Sequence, residues 1–97
     1  MENSEFEKSK VFSVADALEY VPNSMVTKVI IREPTGNVCV MAFDTNEFFE
    51  GKSIPFDTII QIIEGKAEII IDDNPYGLET GQSIIIPTRY HNMIKAS

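Results

Sequence analysis

From Met25 onward the chain alternates between short apolar runs and clusters of turn-forming residues. The apolar runs are rich in Ile and Val and too short for helices, which points to strands. The spacing predicts strands over Met25–Ile31, Val38–Phe43, Thr58–Glu64, Ala67–Asp72 and Ser83–Ile86, with a last one starting near His91. Between them stand PTGN (34–37), DTNE (44–47), EGK (64–66), DDNPYG (72–77) and ETG (79–81), whose Gly, Asn, Asp and Pro supply the backbone angles that turns need. Glu64–Gly65–Lys66 predicts a hairpin joining the strands on either side. Ahead of this β region, residues 1–10 are polar and read as a mobile arm. Ser13–Val21 predicts a short helix with Ser13 as N-cap and Asp16 closing a capping box, ended by Pro22 and Asn23. The pattern predicts an all-β sandwich or barrel with one small helix. An arm and helix over 1–24 would precede a single β domain over 25–97.

Several strands are apolar at nearly every position, as in Ile59–Ile60–Gln61–Ile62–Ile63 and Ile69–Ile70–Ile71. One face of such a strand fills an interior. The other must be covered by a second sheet or another subunit, since an exposed face this rich in isoleucine invites aggregation. A homodimer packed through a sheet face is therefore expected. The aromatic group Phe48, Phe49 and Phe56 fits core or dimer contact better than a ligand platform.

Composition narrows the function classes. With 97 residues, 43% hydrophobic and 24% charged, the chain is one ordinary globular domain. A net charge of −7 and dispersed lysines and arginines exclude a nucleic-acid surface and disfavour an anionic membrane. No apolar run is long enough to span a bilayer, and the charged start MENSEFEKSK has no secretion signal, so a cytoplasmic setting is expected. Cys39 is the lone cysteine, flanked by Val38 and Val40, and reads as a buried, inert thiol.

Three stretches carry a resemblance. A strand ending AFD is followed by PFDTIIQIIEGKAEIIIDD and then YGLETGQSIIIPTRYHN. In order and spacing these resemble a small single-domain cupin, and PFD before an apolar strand and EG is typical of the small bacterial members. The resemblance spans Val38 to the end. Gly65 matches the last glycine of the first cupin motif; Gly81, five residues and Pro87 match the start of the second. It implies a double-stranded β-helix, a jelly-roll-like barrel of short antiparallel strands. It also implies a site in which three histidines and a glutamate hold a divalent metal.

Counting from Gly65, however, the glutamate position is Thr58 and the two first-motif histidine positions are Lys52 and Ile54. His91 alone remains, one residue closer to Pro87 than in the family, with Arg89 where the family has glycine. A lysine near the site repels a cation, and isoleucine cannot coordinate one. No bound metal or other cofactor is therefore expected. The motif also ends near the terminus, six residues past His91, so the barrel is expected either to lack the usual last strand or to be completed by the N-terminal segment or a partner.

Each candidate has a plain alternative. His91 would serve as a general base in a metal-free pocket, or be an inert histidine at the barrel mouth. Lys52 would bind an anion, or simply face solvent. Thr58 would hydrogen-bond a ligand, or serve only as a β-former. Tyr90 and Arg89 would line the mouth, or form rim surface. Glu64 and Glu68 read as solvated charge. The favoured expectation is a metal-free protein that binds a small molecule, a sugar or organic acid, near His91, Thr58, Lys52, Tyr90 and Arg89 without catalysis. A solid isoleucine-filled interior would sink it. The alternatives are a metal-dependent dioxygenase or isomerase using His91, and a non-catalytic structural dimer.

Overall fold

The computed structural model describes residues 6–97, and the expectation for residues 1–5 lies outside them. The chain forms two compact units, one ending at Asp44 and the other spanning Thr45–Ser97. Both are built of antiparallel strands.

In the first unit, strands β1 (Met25–Glu33) and β2 (Gly36–Phe43) form a hairpin closed at Pro34–Thr35. The register shifts between Val29 and Ile31, a β-bulge that lets one extra residue be absorbed. Asp44 closes the open end: its carboxylate accepts the Asn23 N–H at 2.6 Å, and its own N–H donates to the Ser24 carbonyl at 3.0 Å. The expected helix over Ser13–Val21 is not formed. Only a 3-10 turn, Val14–Asp16, appears, and the Ser13 side chain makes no cap bond. The turn buries none of its residues, and so short a helix needs a packed face to persist. Cys39 also departs from expectation. It lies in the exposed half of β2, with its thiol 3.7 Å from Asn37 Oδ1, because Gly36–Cys39 extend beyond the part of the hairpin that is covered.

The second unit holds β3 (Phe48–Gly51), β4 (Thr58–Gln61), β5 (Lys66–Ile71), β6 (Asn74–Glu79), β7 (Ser83–Ile86) and β8 (Asn92–Ala96). They form a four-stranded sheet in the order β3-β8-β5-β6 and a two-stranded sheet of β4 and β7. A shared cluster packs the two sheets together. Ala67, Ile69, Ile71 and Leu78 come from the larger sheet and Ile86 from the smaller, with Ile60, Ile62, Ile84 and Ile94 against them. Ile69 is completely buried.

The hairpin expected at Glu64–Gly65–Lys66 is absent. Strand β5 is hydrogen-bonded on both sides, by β6 and β8, so it has no edge left for β4. Strand β4 pairs instead with β7, and the Ile62 N–H and C=O extend that ladder to Gln82 and Gly81. Gly65, at φ +98° with its N–H on Thr80 Oγ1 at 2.9 Å, carries the chain from one sheet to the other. Two further strands, β3 and β6, lie where no strand was expected. In β6, Pro75 is tolerated because the strand is an edge and the missing N–H faces no partner.

Of the DDNPYG stretch only Asp72 and Asp73 form the turn, at φ 49° and 68°. Two central residues of positive φ mark a type I′ hairpin, a turn that favours Asn-Gly over two aspartates. Replacing Asp73 with Gly should therefore stabilise the protein by about 1 kcal/mol. A urea unfolding midpoint that stays put or falls would contradict this.

Candidate functional site

Two of the four connections between the two sheets of the second unit lie at the same end. Residues 52–57 lead from β3 to β4 and residues 87–91 from β7 to β8. The Arg89 N–H donates to the Ile54 carbonyl at 2.8 Å, and Asp57 Oδ1 accepts both the Thr88 N–H (2.9 Å) and its hydroxyl (2.8 Å). Arg89 takes a positive φ of 67°, a conformation that glycine adopts most readily. The β5–β6 turn joins the same end, the Asp72 N–H donating to the His91 carbonyl at 3.0 Å. All five residues named from the sequence (Lys52, Thr58, Arg89, Tyr90 and His91) therefore sit at or beside this loop end.

They do not share a face. Strand β8 pairs Asn92 with Ile71, Ile94 with Ile69 and Ala96 with Ala67, and those three partners are all buried. Residues directly opposite in an antiparallel pair point to the same side, so Asn92, Ile94 and Ala96 face the core. His91 has the other parity and is exposed, as are Lys52, Arg89 and Tyr90. Lys52 stands one register step beyond the Gly51–Asn92 pair, which places it across from His91. Thr58 is half-buried and pairs with buried Ile86, so it does face inward. The inward polar groups at the loop end are thus Thr58 and Asn92, and Asn92 is the residue that sequence reasoning missed. The signal was available: the family spacing from Pro87, one residue longer than the spacing to His91, falls on Asn92.

Gly51 makes room for Asn92, since a Cβ there would collide with its carboxamide. Ile60, Ile62, Ile84 and Ile94 pack against the buried cluster between the two sheets. A separate shallow depression of about 260 Å³ lies on the outside of β5 and β6, beside Lys66, Glu68, Gly77 and Glu79, away from both loops.

Solved structures of similar fold include a protein of unknown function from Streptococcus pyogenes, 24% identical with a TM-score of 0.86, matched over 98% of this chain and 82% of that one. A cupin superfamily protein from Desulfitobacterium hafniense is 19% identical with a TM-score of 0.84, over 98% and 85% of the two chains. A cupin 2 conserved barrel domain protein from Leptotrichia buccalis is 23% identical with a TM-score of 0.84, over 89% of this chain but 41% of that one. The chain has the cupin fold.

No family model and no curated protein matches the chain. The metal centre that the cupin fold implies does not fit the residues present. Lys52, Ile54, Thr58 and His91 offer one imidazole and no carboxylate, and the inward position near the histidine holds an amide. Among the described residues no group of three or more His, Cys, Asp or Glu side chains lies together as a metal would require. Nor, among them, is any helix long and apolar enough to cross a membrane.

The Thr88 hydroxyl, and after it the Thr88 N–H, hold the Asp57 carboxyl below its ordinary value of 3.8 against a smaller opposing effect of desolvation. A depressed folded-state pKa contributes stability that is present above 3.8 and lost as pH falls through the folded-state value. The acid limb of a melting profile should accordingly be shallower in Asp57→Asn than in the wild type below that pH. Superimposable profiles would show that the two bonds carry no charge-dependent stability.

Proposed function

We propose that this cupin-fold protein binds a small polar molecule, a sugar or an organic acid, at the loop end of its second unit and does no chemistry on it. The observation that carries the reading is the placement of two half-buried polar side chains on the inward side there: Thr58, opposite buried Ile86, and Asn92, opposite buried Ile71. A few polar groups that fix orientation over an apolar base are what a binding pocket requires. Neither Thr58 nor Asn92 transfers protons near neutral pH, and His91 lies on the opposite side of its strand. The donor set favours binding without a resident transition metal. The reading concerns the loop end alone, and a deep barrel cavity is not part of it. Thermal denaturation in the presence of monosaccharides and small carboxylic acids tests it. A ligand at a hundred-fold excess over its Kd should add about 2.7 kcal/mol of stability and raise Tm. Failure of every compound in both classes to move Tm would sink the proposal.

A second reading, a dimer, rests on a specific feature. On the outer face of the two-stranded sheet Ile59 and Ile85 stand directly opposite each other and are 68% and 62% exposed. Neither β4 nor β7 contains a charged residue. In a chain of net charge −7 a two-fold contact brings like surfaces together, and a charge-free face is the one that does so without repulsion. We propose that a second copy covers this face. Ile85→Lys should then shift the protein to monomer in sedimentation equilibrium while leaving its fold intact. A wild type already monomeric at high micromolar concentration would rule the contact out.

A further inference from the structure

The smaller sheet of the second unit has an edge without a neighbour. The Ile62 N–H donates to the Gln82 carbonyl at 2.9 Å, continuing the ladder in which β4 pairs with β7. Backbone groups alternate in direction along an antiparallel strand, so Thr58, Ile60 and Ile62 turn theirs toward β7. Ile59 and Gln61 turn their N–H and C=O groups the other way, where no described strand is hydrogen-bonded to β4.

The other edges of this unit are guarded. The two-residue turn after β5 pairs Ile71 with Asn74, so Pro75 stands at the next, outward-facing position of β6 and offers no donor there. Pro87 does the same where β7 ends, and β3 carries Glu50. Prolines and charges keep edges from pairing, and β4 has neither.

We infer that this edge receives the N-terminal arm of a second copy, residues 10–13, as an added strand. This rests on the two-fold contact proposed above and gives it a second component. Val11 is fully exposed and Phe12 is 45% exposed, and Ser13 has extended backbone angles, φ −104° and ψ 123°. Lys8 and Lys10 lie just ahead of them. The edge has the complementary charge: between Lys52 and Lys66 there is no Lys or Arg, while Asp57 and Glu64 stand beyond its two ends. Direct pairing of two β4 strands about Ile60 would instead set Asp57 of one copy beside Glu64 of the other, a like-charge contact at each end. An added strand bonds through its main chain, and its successive side chains fall on opposite faces. Either Val11 or Phe12 then lies on the outer face, beside the exposed Ile59.

Hydrogen exchange of the Ile59 and Gln61 amides, read by ¹⁵N NMR on the full chain at high micromolar concentration, tests this. In the dimer both should exchange several-fold more slowly than in a full-length variant carrying Val11→Ser and Phe12→Ser. Lys10→Glu should weaken the protection in the same direction. Val11 and Phe12 lie outside every strand, so an unchanged Ile60 amide in the variant shows that the β4–β7 ladder is intact. Gln61→Pro removes an outward donor and spares that ladder, and should release the Ile59 amide as well. A dimer in which Ile59 and Gln61 exchange freely, or stay equally protected in the double variant, would overturn the inference and leave the face contact standing. A wild type that is monomeric would overturn both, even with arm-dependent protection, since the arm would then lie on its own chain.

Discussion

The second unit depends on one constraint: β5 is bonded along both edges. With β6 on one side and β8 on the other, its inward residues Ala67, Ile69 and Ile71 become the floor on which everything else is placed. Every backbone group between two partners is satisfied, so the strand can be buried deeply enough for Ile69 to lose all contact with solvent. The register of β8 is then not free. A one-residue slip would turn Ile94 outward and bring Met93 and Lys95 in, burying a charge at the cost of the core. Which side chain meets the loop end follows from that pairing rather than from any local preference of residues 91 and 92.

The loop end itself is held by directional bonds between its two loops. One carboxylate oxygen of Asp57 and the Ile54 carbonyl tie two loops together across the gap between the sheets. At this end the half-buried Thr58 and Asn92 are neutral, while Lys52, Arg89, Tyr90 and His91 are exposed. Fold alone does not choose among activities, so the case for binding rests on these few side chains.

Much of the strand pattern was legible because it is written in alternation and punctuation. Ser83–Ile86 is bounded by Gly81 and Pro87 and was read with its limits intact; the cupin likeness followed from the same glycines and proline. Pairing was not legible. Gly65 has the look of a hairpin glycine, and only the occupation of both β5 edges turns it into a crossover. Strand β6 hid behind Pro75 and Gly77, residues that read as turn and are allowed by an edge. The helix at Ser13–Val21 carried good local signals but no surface to pack on, and local propensity at that length does not suffice. At the loop end, counting from Gly65 leads to Thr58, a half-buried residue opposite buried Ile86. Counting from Pro87 by the cupin spacing leads to Asn92, opposite buried Ile71, a position less conspicuous in the sequence than the lone imidazole beside it.

The parity of β8 sets how the chemistry of this end can change over time. Lengthening or shortening the loop before His91 cannot bring its ring inward, because the strand that follows is anchored by its neighbours and would have to surrender Ile94 to move. A single replacement at position 92 can alter the inward group while the rest of the strand stays as it is. Divergence among chains of this kind is therefore channelled toward point changes at one inward residue, with the length of the loop a silent variable.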